Sequence, residues 1–160
     1  MKREPVVLER VFDATLDDVW DLWTSKEGIE SWWGPEGFGV EVQRLDLRVG
    51  GQLLYTMRAL APEMVAFMES EGQPVSSQHS AVFTEVVPQR LLAYDHVVDF
   101  VPGVEPYAIS HRVELEETPE GVRMTLSFTP MHDDTWTERA RMGWQSELGK
   151  LAKVLVTRRS

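Results

Sequence analysis

Apolar residues in the last long stretch of the chain, Asp133 to Arg159, fall on one stripe. Trp136, Ala140, Trp144, Leu148, Leu151 and Leu155 recur at intervals of four, four, four, three and four. That is the period of a helix buried along one face, so the spacing predicts a single long helix. Upstream the period changes. Within Tyr107–Glu117, Ile109, Val113 and Leu115 alternate with Arg112, Glu114 and Glu116, and within Val122–Pro130, Val122, Met124, Leu126 and Phe128 alternate with Arg123, Thr125, Ser127 and Thr129. Period two puts successive side chains on opposite faces of a strand, so each run has one dry face and one wet face. Further strand-like runs are Pro5–Phe12, Phe38–Leu47, Gln52–Arg58, Ala81–Val87 and Arg90–Phe100. Gly50-Gly51, Pro88-Gln89, Pro102–Pro106 and Thr118–Gly121 supply the turns between neighbours.

Two short helices are predicted after the first strand. Thr15 stands three residues before Asp18, a capping spacing, with Leu16, Val19, Trp20 and Trp23 as the stripe behind it. Ser25 can cap a second piece holding Ile29, Trp32 and Trp33, which Gly34-Pro35 stops because proline cannot continue a helix. The last helix has Asp133, Asp134 or Thr135 available as its cap, Thr135 with Glu138 at capping-box spacing. Ala61–Gln78 is the least regular stretch, punctuated by Pro62, Gly72 and Pro74 yet carrying Met64, Val65, Phe67 and Met68. It reads either as a short helical lid or as a packed connection. The element order is not the alternation of a doubly wound fold. It gives an α+β class: an antiparallel sheet with one dry face, covered by the final helix.

Composition narrows the function classes. The 160 residues suit one domain spanning 1–160, and 42% apolar residues with six Trp make it a self-folding globular unit. Lys plus Arg number 16 and Asp plus Glu 26, a net charge of −10 that repels phosphate, so neither nucleic acid nor an anionic membrane is an expected partner. There is no cysteine, which removes disulfides, thiolate metal sites and a Cys nucleophile. The amino-terminal residues hold only a three-residue apolar run, Val6 to Leu8, too short for a signal-peptide core, so a cytoplasmic location is expected.

Several motifs together resemble a known family. Val19-Trp20, Trp23-Thr24, Trp32-Trp33-Gly34-Pro35, Asp46 with Arg48-Val49-Gly50-Gly51, Glu85 with Pro88, and Gly143-Trp144 with Leu148 and Leu151 are similar to the heat-shock chaperone ATPase activator family. That family is a branch of the START-like superfamily, which also holds polyketide cyclases and the birch pollen allergen. The resemblance implies a helix-grip fold: a seven-stranded antiparallel sheet curved around a long C-terminal helix, with two short helices after strand one and a cavity between helix and sheet. It also implies a choice of function. The first expectation is binding of a small, largely apolar molecule in that cavity; the others are a cyclase, dehydratase or hydrolase using a cavity histidine, and a protein that stimulates a heat-shock chaperone.

His111 is the polar exception on the dry face of Tyr107–Glu117. It can anchor a ligand or act as an acid or base, which makes it the catalytic candidate, or it can be a core histidine satisfied by a neighbour. Tyr107, four positions earlier on the same face, offers a second polar group to a mostly apolar pocket. His132 before the last helix, and Trp136 at its start, are candidates for the cavity mouth, as is Trp33 beside Gly34-Pro35; Trp20, Trp23 and Trp32 read chiefly as core. Met124 and Phe128 on the dry face of their strand, and Trp144 on the helix stripe, complete the expected ligand-binding set. Gly143 joins it because a mid-helix glycine costs about 1 kcal/mol relative to alanine and needs a reason, either close approach to the sheet or room for a ligand.

No metal or cofactor is expected. His79, His96, His111 and His132 share no ligand spacing, and His96 points away from both Asp95 and Asp99 if all lie in one strand. GxSxG, Walker and GxGxxG patterns are absent. A monomer, or a homodimer through a sheet edge, is the expected assembly.

Overall fold

A computed structural model describes residues 4–99, 101 and 103–159. Phe100 and Pro102, which the predicted strand and turn include, and the first three residues of the chain lie outside that set. Among the described residues the order is β1 (Val6–Phe12), α1 (Leu16–Thr24), α2 (Lys26–Trp32), β2 (Phe38–Leu45), β3 (Gln52–Ala59), α3 (Pro62–Ser70), β4 (Ser76–Val87), β5 (Leu91–Val98), β6 (Tyr107–Thr118), β7 (Gly121–Phe128) and α4 (Asp134–Arg159). The strands form one antiparallel sheet in the order β1-β7-β6-β5-β4-β3-β2. Each strand from β2 to β7 therefore pairs with its sequence neighbour. Only β1 closes on β7, and β1 and β2 are left as the edges.

The caps act at the predicted positions. Thr15 Oγ1 accepts from the Asp18 backbone N–H at 3.1 Å, and Ser25 Oγ accepts from the Gly28 N–H at 2.9 Å, each satisfying a donor that a helix start leaves open. For α4 the cap is Asp133, whose Oδ1 accepts from the Trp136 N–H at 2.8 Å. The irregular stretch resolves into α3, which buries none of its residues, and the start of β4. β4 thus begins at Ser76, earlier than its apolar residues suggest, because Ser76 to Ser80 pair with Arg58 to Leu54 of β3 through backbone rather than through a dry face.

The core lies between the sheet's dry face and α4, with α1 and α2 closing one end. Trp23 and Trp32 are fully buried there, ring centroids 4.7 Å apart and edge-on. Trp32 Nε1 donates to the Leu22 carbonyl, and Trp23 Nε1 approaches Met124 Sδ at 3.3 Å. The stripe on α4 changes character along its length. Leu148, Leu151 and Leu155 are packed solid against the sheet, whereas Trp136, Ala140 and Trp144 are only partly buried.

Candidate functional site: a cavity under the first half of α4

Where the stripe loosens, a cavity of about 240 Å³ opens between α4 and the sheet. Its helix wall is Ala140, Gly143, Trp144 and Glu147; Trp33 and Pro35 close one side, and Val98, Ile109 and Met131 add apolar surface. The sheet wall carries most of the polar groups. Tyr55, His79, Tyr94, His96 and His111 come from four adjacent strands.

Register explains the convergence. Tyr55 faces His79 across β3 and β4, and Tyr94 faces His111 across β5 and β6. Ala81 faces His96, so His79, two residues from Ala81, projects from the same face one step along. The rings form a continuous layer: His79 to His96 is 5.9 Å between centroids, His96 to His111 6.0 Å, and His111 stacks on Tyr94 at 4.9 Å and 7°.

Burial keeps these imidazoles neutral. Desolvation pushes His96 down to about 3, aided by the neighbouring His111 and His79, and pushes His111 down to about 4; His79 is lowered for the same reason, with Asp99 opposing. His111 Nδ1 lies 3.2 Å from the Ile109 carbonyl, which can only accept, so the proton of the neutral ring sits on Nδ1 and Nε2 is left as an acceptor. The Tyr55 hydroxyl and His96 Nε2 are 2.7 Å apart, as are the Ser77 hydroxyl and His79 Nε2. Both buried tyrosines are held as phenols by desolvation and by Glu147. Trp33 Nε1 and the Tyr94 hydroxyl are buried without a hydrogen bond to any described residue.

Glu147 is the charged member. Its Oε1 accepts from the Gly34 N–H at 2.7 Å, made possible by a backbone turn at Gly34 with φ +87°, where glycine is favoured. Desolvation pushes the carboxyl up to about 7, against the opposing pull of that N–H and of Lys150. Lys150 itself is bonded elsewhere: its Nζ donates to the carbonyls of Gly34, Phe38 and Trp33 at 2.8, 3.3 and 3.4 Å.

The ligand-binding residues expected from sequence divide into three groups. His111, Trp33, Gly143 and Trp144 line the cavity. Tyr107, His132 and Trp136 form a separate cluster: the Tyr107 hydroxyl lies 2.7 Å from His132 Nδ1 and accepts from the His132 N–H at 3.1 Å, and Trp136 sits 5.9 Å from the imidazole. Met124 and Phe128 are core residues, Met124 under Trp23 and Phe128 against the His111 ring at 5.5 Å. Sequence reasoning missed Tyr55, His79, Tyr94, His96 and Glu147. One signal was there: Leu92, Tyr94, His96 and Val98 alternate as a dry face does. Among the described residues, no group of three or more His, Asp or Glu side chains is arranged to hold a metal ion.

A curved antiparallel sheet gripping a C-terminal helix, with a part-polar cavity between them, defines the helix-grip class of the START-like superfamily. The model of the "Activator of Hsp90 ATPase homolog 1-like protein" family matches residues 13–156, and the chain belongs to that family. Solved structures agree on the fold. A protein of Chromobacterium violaceum is 23% identical with a TM-score of 0.76, covering 94% of this chain and 96% of its own. The AHSA1 protein of Silicibacter pomeroyi is 23% identical with a TM-score of 0.75, covering 97% and 99%. A protein of Nitrosomonas europaea is 23% identical with a TM-score of 0.73, covering 96% and 95%. A search of curated proteins returns no significant match. No helix among the described residues is long and apolar enough to cross a membrane.

Proposed function

We propose that the protein binds a small, largely apolar molecule in the cavity under the first half of α4. The observation that carries this reading is Gly143. It lines the cavity from mid-helix, and a Cβ built there would meet no heavy atom within 4 Å. Close packing therefore does not call for glycine at this position; Gly149, on the same helix but outside the cavity, is equally open, so it is the place of Gly143 in the cavity wall that supports the reading. The second support is chemical: a layer of neutral imidazoles and phenols is an unusual lining for a core but supplies the few convergent polar groups of a ligand pocket.

Size sets the class. About 240 Å³ is below the roughly 300–1,000 Å³ of drug-sized sites, yet above the roughly 150 Å³ that takes a benzene ring. A single substituted ring is the size of molecule that this volume holds. Titration with indole and benzyl alcohol, followed by tryptophan fluorescence and thermal unfolding, tests this. A saturable change at Trp33 and Trp144 with a raised Tm is the expected result, since ligand at 100 times Kd stabilises by about 2.7 kcal/mol. No saturable change across a panel of monocyclic aromatics would overturn it.

A further inference from the structure

The cavity holds a carboxylate whose charge the protein leaves open. Among the described residues Glu147 is the one acidic side chain in its wall, and only the Gly34 N–H bonds it; Lys150, one turn on, donates to three carbonyls of the Trp33–Phe38 corner. The same lining carries the aromatic rings of Trp33, Tyr55, Tyr94 and Trp144. Trp33 meets Tyr55 edge-on at 5.3 Å and Trp144 edge-on at 6.0 Å, and lies 6.2 Å from Tyr94. The remaining polar groups are neutral imidazoles and phenols, and His111 presents a lone pair at Nε2 by the tautomer that the Ile109 carbonyl imposes. Among the described residues the cavity lining contains no cationic side chain. A net charge of −10 makes the molecule as a whole attract cations and repel anions.

We propose that the ligand is a small organic cation, a ring bearing a primary ammonium group, held with the ring among Trp33, Tyr55 and Trp144 and the ammonium directed at Glu147. The proposal rests on the reading of the cavity as a ligand site and names the chemistry that site selects. Ring faces attract a desolvated ammonium, and a carboxylate with one oxygen unpaired supplies the charge-assisted hydrogen bond. An anion would meet Glu147 and find no cationic partner. A neutral ring would make no charge-assisted bond to the carboxylate and would favour its protonated form instead.

Titrating the intact protein with benzylamine, benzyl alcohol and benzoate, which share a ring and differ in charge, tests the proposal. Benzylamine is expected to bind at least about tenfold more tightly than benzyl alcohol, with benzoate weakest. Glu147→Gln, which keeps an acceptor for Gly34 N–H, should bring the benzylamine to benzyl alcohol ratio close to one. A second arm needs no variant. Burial holds the free carboxyl near 7, so a cation that binds the ionised form gains affinity as pH rises through that value. Between about pH 5.5 and about pH 8 the gain should be tenfold or more, since the benzylammonium stays largely protonated over that range. Among the groups near Glu147, Tyr55 and Tyr94 are raised, and burial pushes His96 and His111 down to about 3 and about 4, while His79 and Lys150 are also lowered; loss of the pH dependence in Glu147→Gln therefore assigns it to the carboxylate, and its persistence there would overturn that assignment. Equal binding of amine and alcohol, or tighter benzoate, overturns the cation and leaves the cavity reading standing. Binding of none of the three overturns both.

Discussion

The Gly34 N–H donates to Glu147 Oε1 across 2.7 Å, joining the corner between α2 and β2 to α4 at the point where the helix passes from cavity to solid core. The contact joins that corner to an α4 carboxyl that burial raises and that this N–H pulls back down. Lys150 fastens the same corner from the next turn through three carbonyls.

Removing the acceptor should loosen that corner. Glu147→Ala leaves the Gly34 N–H buried and unpaired and is expected to lower stability by about 1–3 kcal/mol in urea denaturation, while Glu147→Gln should lose less because its amide oxygen still accepts. Equal losses from the two variants would show that the hydrogen bond does not hold the corner.

The two halves of the α4 stripe should respond in opposite directions. Leu148 is fully buried, so Leu148→Ala should cost about 2–5 kcal/mol through lost transfer energy and the cavity left behind. Gly143→Ala adds a Cβ into open space and should stabilise by up to about 1 kcal/mol. Thermal unfolding of both variants checks the pair.

Acidification should destabilise the fold through its histidines. His96 and His111 bind protons only near 3 and 4 when folded, against about 6.5 for a free imidazole, so the unfolded chain takes up more protons between those values. Their stabilising effect is complete above about pH 6.5 and is lost as pH falls toward 4 and 3. Glu147 works with the opposite sign: its raised carboxyl favours the fold at low pH, and that contribution is lost as pH rises through about 7. His111→Gln should reduce the slope of stability against pH between about 6 and 4 by about 1.4 kcal/mol per pH unit, one proton's worth. An unchanged slope would mean that His111 is not held neutral.

Much of the scaffold was legible in sequence because it is written in local patterns. Alternation gave β6 and β7, the four-and-three spacing gave α4, and Thr15 and Ser25 announced their helices. The polar cavity wall was not legible, for three physical reasons. His79 sits in the Ser76–Ser80 segment, whose side chains carry no apolar period, so β4 looked shorter than it is. Sequence spacing compares His96 with Asp95, Asp99 and the other histidines, while its partners Tyr55, His79 and His111 are set by cross-strand register. Glu147, three residues after Trp144, lies on the helix face toward the sheet, but a stripe defined by apolar residues skips it. Tyr107 shows the converse. It shares a strand face with His111, yet four residues of strand span about 13 Å, enough to carry it out of the cavity to His132.

The most direct test of the cavity as a ligand site is calorimetric titration of the wild type and of Gly143→Leu with the same monocyclic aromatic ligand. Leucine at 143 projects into the open space under α4, so the variant should stay folded with an undiminished Tm and lose binding at least about tenfold. Equal affinity in the two proteins would contradict the assignment of ligand binding to this cavity.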